Sequence, residues 1–206
     1  MTTRRNVTPM IILIGYRGTG KTTLAAPLAE RLGWTAVDAD VELERRAGRS
    51  IREIFDVSGE PEFRRLERET LIELLGRQQL VIAAGGGAIL DPDTRRDFQA
   101  AGPVVWLRAS VDTIERRLYG DATTTQRRPN LTASGGRQEI ERLLADRDPL
   151  YRECATIDVA TDEPLPGTPQ APSIDALVDY LVDQLQLDAT VTESGTSNPT
   201  EGSRPC

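Results

Sequence analysis

The eight residues Gly15-Tyr16-Arg17-Gly18-Thr19-Gly20-Lys21-Thr22 fit the pattern G-x-x-x-x-G-K-[ST] and constrain the fold more than any other stretch of the chain. The pattern has meaning only between a buried strand and a helix, and both flanks comply. Met10–Ile14 is a short, fully apolar run that reads as a buried strand. Lys21–Leu32 reads as a helix with Leu24, Leu28 and Leu32 on one stripe. Glycines let the backbone wrap closely, so that amide N–H groups point at a phosphate, and the helix N-terminus adds partial positive charge. A chance glycine-rich turn would match in about one chain of this length in a hundred at average composition. One compositional fact counts further against chance. Lys and Arg total 25, yet Lys21 is the single lysine, and it falls on the lysine of the motif. A tight backbone cradle suits a compact ammonium better than a planar guanidinium. The candidate nucleotide-binding residues are therefore Gly18, Thr19, Gly20, Lys21, Thr22 and Thr23. Lys21 would reach the β- and γ-phosphates, and the Thr22 hydroxyl could bind Mg2+.

Downstream, short apolar runs alternate with helical patterns. Strands are expected at Thr35–Val37, Leu80–Ala84, Val104–Leu107 and Thr156–Val159. Between them lie helices at Val41–Ala47, Asp91–Ala101, Val111–Leu118 and Gln138–Arg152, with a closing helix at Ile174–Leu187. Ser50-Ile51-Arg52-Glu53 is a capping box that starts a short helix. Pro61 stands early in a separate, longer helix running to about Leu75, with Phe63, Leu66, Leu71 and Leu74 inward. Such alternation predicts an α/β fold: a parallel sheet covered by helices on both faces. Residues 10–187 are expected to form one domain, 1–9 to fray and 188–206 to be a disordered tail. No stretch approaches the length of a transmembrane helix.

The absence of histidine removes several chemistries at once. There is no Ser-His-Asp or Cys-His pair, no histidine zinc ligand and no imidazole base. Cys154 and Cys206 are too few for a four-cysteine metal site and read as free thiols of a reducing compartment. Acid–base work must fall to carboxylates, and cation work to arginine or Lys21. A net charge of −7 with 4% aromatics leaves little for a phosphate track or base stacking, which argues against a nucleic-acid binder.

Asp38-Ala39-Asp40 follow the second strand. In parallel α/β sheets ligands bind at the carboxyl ends of strands. If the extended backbone continues, period-two geometry puts both carboxylates on one side, beside the phosphate loop. One could serve Mg2+ through water, and the other could take a proton from a substrate hydroxyl. The alternative for Asp40 is a helix N-cap.

The set GYRGTGKT, DAD, SGEPEFRRLE, GGG, RRP and RDPLY, in this order over roughly residues 10–185, resembles shikimate kinase. Ser58 to Glu67 combined with the glycine triplet is the specific part. The resemblance implies a three-layer P-loop kinase fold with a five-stranded parallel sheet in order 2-3-1-4-5 and a mobile lid at about 120–136. It implies transfer of the ATP γ-phosphate to the 3-hydroxyl of shikimate, with Mg2+, in the cytoplasm. The implied partner is the small-molecule substrate, with no nucleic acid and no membrane, and the chain is expected to act as a monomer. Residue by residue, it gives Lys21 and Thr22 the phosphate and magnesium roles and Asp38 a water-mediated magnesium role. Asp40 would hold the acceptor's hydroxyls and could act as the base. Arg64 and Arg147 would grip its carboxylate, with Glu67 orienting Arg64 and Gly85, Gly86 and Gly87 lining its pocket. Arg128, before Pro129, would reach over the phosphates from the lid, and Arg117 would stand on the nucleotide side.

Plainer readings exist for several of these. Arg64 and Glu67, three apart, could be a solvated helix pair, and Arg147 could pair with Asp146 or Asp148 at the surface. Arg116 competes with Arg117, and Arg127 with Arg128, for the same roles. The lid carries Arg128-Pro129-Asn130-Leu131 where the family commonly has Arg-Pro-Leu-Leu, and Thr123–Thr125 lengthen it. Thr161–Pro172 lacks the arginine that some members set against adenine. A related kinase of the same fold acting on another hydroxy acid, such as gluconate, is the nearest alternative. A GTPase-type switch is disfavoured, because Asp56-Val57-Ser58-Gly59 follows a helical segment and no N-K-x-D can exist without a second lysine.

Overall fold

The computed structural model describes residues 10–120 and 136–186. Strand β1 (Met10–Ile14) leads through the glycine loop into helix α1 (Lys21–Leu32), followed by β2 (Thr35–Asp38), α2 (Ala39–Ala47) and α3 (Ile51–Leu75). Then come β3 (Leu80–Ala83), a 3-10 turn at Ala88–Leu90, α4 (Pro92–Ala101), β4 (Val104–Arg108) and α5 (Val111–Gly120). Helix α6 (Gly136–Cys154), β5 (Ile157–Ala160) and α7 (Ile174–Gln184) close the order. The five strands form one sheet in order β2-β3-β1-β4-β5, and every pairing is parallel. The expected α/β class and strand order are both present.

β1 lies at the centre and is buried on both faces, which is why its sequence is an unbroken apolar run. Met10, Ile12 and Ile14 point into a core layer with Leu71 and Leu74 of α3, Phe98 of α4 and Tyr151 of α6. Ile11 and Leu13 point into the opposite layer, against Leu24 and Leu28 of α1 and Leu177 and Leu181 of α7. The registers Ile12↔Ile82 and Leu13↔Val105 set the carboxyl ends of β1, β3 and β4 side by side. Two smaller clusters carry the flanks of the site. Ile114, Leu118 and Ile140 pack α5 and α6 around Tyr16, and Leu43, Ile51, Ile54 and Phe63 pack α2 against α3.

One local expectation needs correction. The backbone does not stay extended through Asp40. It turns at Asp38, whose carboxylate caps α2 by accepting from the amides of Asp40 and Val41. The N-cap is thus Asp38 and not Asp40, and α2 begins at Ala39 rather than Val41. The two helices expected across residues 50–75 are both present within the span of α3, parted by a break at Gly59, where φ is 77° and ψ 178°. Ser50 and Glu53 form the capping box, and Pro61 follows the break, where its missing N–H costs no helical bond.

Some ends shift by a residue or more. β5 starts at Ile157 because Thr156 closes the edge by itself. Its amide donates to the Val104 carbonyl at 2.8 Å, and its hydroxyl accepts from the Val104 amide at 3.1 Å. The last helix stops at Gln184, with Leu185 as its C-cap, short of the expected Leu187. Among the described residues no helix is long and apolar enough to cross a membrane. Residues 1–9, most of the expected lid and the segment from 187 lie outside the described residues.

The break at Gly59 occupies a backbone region open almost only to glycine. Gly59→Ala is expected to cost about 1–3 kcal/mol, read as a lowered urea midpoint with unchanged slope. Cys154 is 1% exposed, and burial pushes its thiol up to about 11. Alkylation at pH 8 should therefore leave Cys154 unlabelled in the native protein and label it in urea, as peptide mass mapping would report.

Candidate active site

The loop between β1 and α1 is shaped by three glycines with positive φ: Gly15 (140°), Gly18 (81°) and Gly20 (95°). A side chain on Gly15 would collide with the Leu107 carbonyl of β4. Thr19 Oγ1 donates to the Tyr16 carbonyl at 2.8 Å. Lys21 Nζ donates back to the carbonyls of Gly15 (2.8 Å) and Tyr16 (2.9 Å), bracing the loop from inside. The N-termini of α2, α3, α4 and α7 are capped by the side chains of Asp38, Ser50, Asp91 and Ser173. That of α1 has Gly20 and no side-chain cap. Its first amides and helix dipole therefore face the open cavity, which is what an anion needs.

That cavity has a volume of about 780 Å3 and gathers most of the expected nucleotide and metal residues. Gly18, Thr19, Gly20, Lys21, Thr22 and Thr23 line it, together with Asp38, Asp40 and Gly86. Thr22 Oγ1 donates to Asp38 Oδ2 at 2.6 Å, while Asp38 Oδ1 accepts from the Asp40 amide at 3.0 Å and the Val41 amide at 3.3 Å. The Asp38 carboxylate is thus fixed in direction by its cap. The cap also turns Asp40 into the first turn of α2, where it lines the cavity from a helix rather than from a strand. Two hard oxygen donors in contact, Thr22 and Asp38, fit a magnesium ion that takes its other ligands from phosphate and water. Among the described residues no group of three or more Cys, Asp or Glu could hold an ion alone.

The glycine triplet after β3 is both a turn and a place of close approach. Gly85 O accepts from the Ala88 amide at 3.0 Å, closing the turn. Gly86 presses on the loop: a side chain there would lie 3.3 Å from the Gly15 carbonyl. Its own carbonyl accepts from Arg147 Nη1 at 3.3 Å and from the Tyr151 hydroxyl at 2.5 Å. Arg147 is 7% exposed and its guanidinium stands 5.9 Å from the centre of the Tyr16 ring, so it is no surface ion pair. Burial pushes the Tyr151 phenol well above its ordinary range and keeps it a hydrogen-bond donor.

Gly87 lies against the guanidinium of Arg64, which donates from Nη1 to the buried Glu67 at 2.5 Å. Burial works against the Arg64 charge, but Glu67 and Glu60 outweigh it and hold its pKa above the usual arginine range. Arg64 and Glu67 are therefore not a solvated pair. Together with Gly87 they line a second, smaller depression between α3 and α4, beside the main cavity rather than inside it.

Of the paired arginines, Arg117 donates to the Gly18 carbonyl of the loop at 3.1 Å and to Thr161 Oγ1 at 3.0 Å. Arg116 donates to Thr113 and also lines the cavity. Arg127 and Arg128 lie outside the described residues. Three participants escaped the sequence reading. Arg17 lines the cavity from the loop and pairs at 3.2 Å with Glu139 of α6, whose side chain is fully buried. Arg17 stands at a free position of the motif, and nothing in the sequence marks Glu139, 122 residues away. Tyr151 was visible in RDPLY, but not as a hydrogen-bond donor to Gly86.

Comparison with known proteins finds relatives of one kind. The family model for shikimate kinase matches residues 17–186. A shikimate kinase from Xylella fastidiosa is 41% identical over 193 residues, covering 94% of this chain and 98% of its own. One from Rhodopirellula baltica is 44% identical over 151 residues, covering 73% and 81%. Among solved structures, shikimate kinase from Acinetobacter baumannii in complex with shikimate superposes with a TM-score of 0.75 at 37% identity, covering 89% of this chain and 96% of its own. Shikimate kinase from Bacteroides thetaiotaomicron gives 0.74 at 32% identity, covering 86% and 98%.

Tyr151→Phe removes one of the two donors to Gly86 without emptying the core. It is expected to cost about 1 kcal/mol in urea unfolding.

Proposed function

The chain belongs to the shikimate kinase family, and we infer from that premise how its own residues carry the family's reaction. The reaction is transfer of the γ-phosphate of ATP to the 3-hydroxyl of shikimate, giving shikimate 3-phosphate for aromatic amino-acid biosynthesis. The observation that carries the assignment to this chain is the pair of arginines on one glycine turn. Arg147 donates to the Gly86 carbonyl, and Arg64 lies against Gly87. Two guanidiniums held from different helices, next to a phosphate loop, suit a small acceptor with one carboxylate.

On the donor side the amides of Gly18, Thr19, Gly20, Lys21, Thr22 and Thr23 cradle the phosphates, and the Lys21 ammonium neutralises them. Lys21 would exchange the Gly15 and Tyr16 carbonyls for phosphate oxygens. Thr22 and Asp38 are the ligands proposed for Mg2+, Asp38 through water. When bound there, the ion offsets the charge that builds on the transferring group. Arg117 steadies the loop through Gly18 on the nucleotide side. Arg128 is proposed to complete the charge stabilisation from the lid.

On the acceptor side Arg64, oriented by Glu67, and Arg147 hold the carboxylate. Gly85, Gly86 and Gly87 let the ring approach the backbone. Asp40 binds the hydroxyls and accepts the proton of the reacting one at its carboxylate. Asp38 cannot share that task while it caps α2 and bonds Thr22. Catalysis then consists of positioning and charge stabilisation, which phosphoryl transfer chiefly requires. A monomer is the proposed working unit. Residues 10–187 act as one kinase domain with its lid at about 120–136. A buried free thiol at Cys154 suits the cytoplasm.

Purified protein with ATP and Mg2+ should release ADP when shikimate is added and not when gluconate is added. Lys21→Ala should lower kcat by about a thousandfold or more with the circular dichroism spectrum unchanged. Turnover of gluconate without turnover of shikimate would overturn the assignment.

A further inference from the structure

The Arg64 guanidinium has three edges from which to donate: two are hydrogen-bonded and the third is blocked. Nη1 donates to Glu67 at 2.5 Å, and the Glu67 side chain is only 7% exposed. The edge between Nη1 and Nη2 is pressed against Gly87. A Cβ on Gly87 would stand 2.7 Å from both nitrogens and 3.0 Å from Cζ, so it would lie on that edge, and no carboxylate fits in the gap. The remaining edge, between Nε and Nη2, donates to one oxygen of Glu60 at 3.2 and 3.1 Å. The Glu60 side chain is 61% exposed. Charge-assisted N–H···O bonds ordinarily measure about 2.7–2.9 Å. The Glu60 contacts are longer than that and the Glu67 contact is shorter. Glu67 is the fixed partner of Arg64, and Glu60 is the loosely held one on the solvent side.

We infer that Glu60 is a displaceable stand-in for the acceptor's carboxylate, and so sets how strongly the enzyme selects for that group. The inference rests on the reading of Arg64 as the carboxylate anchor. Bidentate pairing needs two N–H groups on one edge, and only the Nε–Nη2 edge is open to a ligand. Glu67 cannot yield, because leaving Arg64 would strand a buried charge. Glu60 can yield at small cost, because its carboxylate already faces water. It also has a second station: it opens the part of α3 that follows the Gly59 break, where a helix N-terminus favours an anion. An acceptor with a carboxylate replaces the Glu60 interaction in kind. A neutral acceptor offers Arg64 nothing in exchange.

The test compares the full-length enzyme with Glu60→Gln in steady-state assays with shikimate, and with the methyl ester of shikimate as a neutral competitor. Glu62→Gln, whose carboxylate pairs with Arg65, serves as the control. Glu60→Gln should lower KM for shikimate by about two- to fivefold, the range expected for loss of an exposed competing ion pair. It should change kcat by less than that and leave the inhibition constant of the ester unchanged. The KM gap should shrink at about 1 M salt. Glu62→Gln should leave KM where it was. A KM for shikimate that rises or stays the same in Glu60→Gln overturns the inference, and so does an equal tightening of the ester. Failure of the wild-type enzyme to phosphorylate shikimate at all would instead sink the functional assignment, and it would be evident before any variant is compared.

Discussion

The two halves of the site meet at one backbone carbonyl. Gly86 O accepts from Arg147 and Tyr151, while a side chain on Gly86 would meet the phosphate loop at Gly15 and Arg17. The phosphate loop and Arg147 therefore share a single residue at the end of β3. The peptide sits there because β1 and β3 pair in parallel at the centre of the sheet, and a side chain on the residue would crowd the Gly15 carbonyl. Tyr151 and Arg147 bring α6 onto the same point, and Trp106 stacks on Tyr151 from β4. Rigid placement of this kind supplies the orientation on which phosphoryl transfer depends.

Carboxylates hold the polar side chains of the site in place. Asp38 orders Thr22 and turns the chain into α2, Glu67 aims Arg64, and Glu139 holds Arg17. The buried pairs differ from the many exposed ones along α3, such as Arg65 with Glu62 and Glu69, which contribute little to stability in water. A buried carboxylate cannot leave its guanidinium without a large penalty, so it fixes direction. An exposed one can leave, so it can be exchanged. Glu67 and Glu60, on the same arginine, represent the two cases.

The legible part of the fold was the part governed by neighbours in sequence. The P-loop, the apolar strands and the capping box at Ser50 are set by spacing and side-chain type, and the structure places each where the pattern does. The turn at Asp38 was misread because two aspartates, two residues apart, are equally good caps by type. Packing of Ala39 and Leu43 into the core decides which one takes the role. Arg117 could not be told from Arg116 until Gly18 O and Thr161 were seen beside it.

By itself the sequence determined the α/β class, the phosphate loop with its lone lysine, and an acid–base chemistry confined to carboxylates. These follow from periodicity and composition, which are local or additive properties of the chain. The family resemblance extended that reading to the strand order, which the sheet bears out, and to expectations for the site residues. Only the tertiary structure decided that Arg64 and Arg147 share one glycine turn, that Glu139 reaches Arg17 and that Glu60 stands on the open edge of Arg64. Arg17 and Glu139, and Gly86 and Arg147, meet across long stretches of chain, and no local pattern encodes such a distance. Arg64 and Glu60 are near neighbours in sequence, but Gly87, brought from another element, determines which edge is left for Glu60.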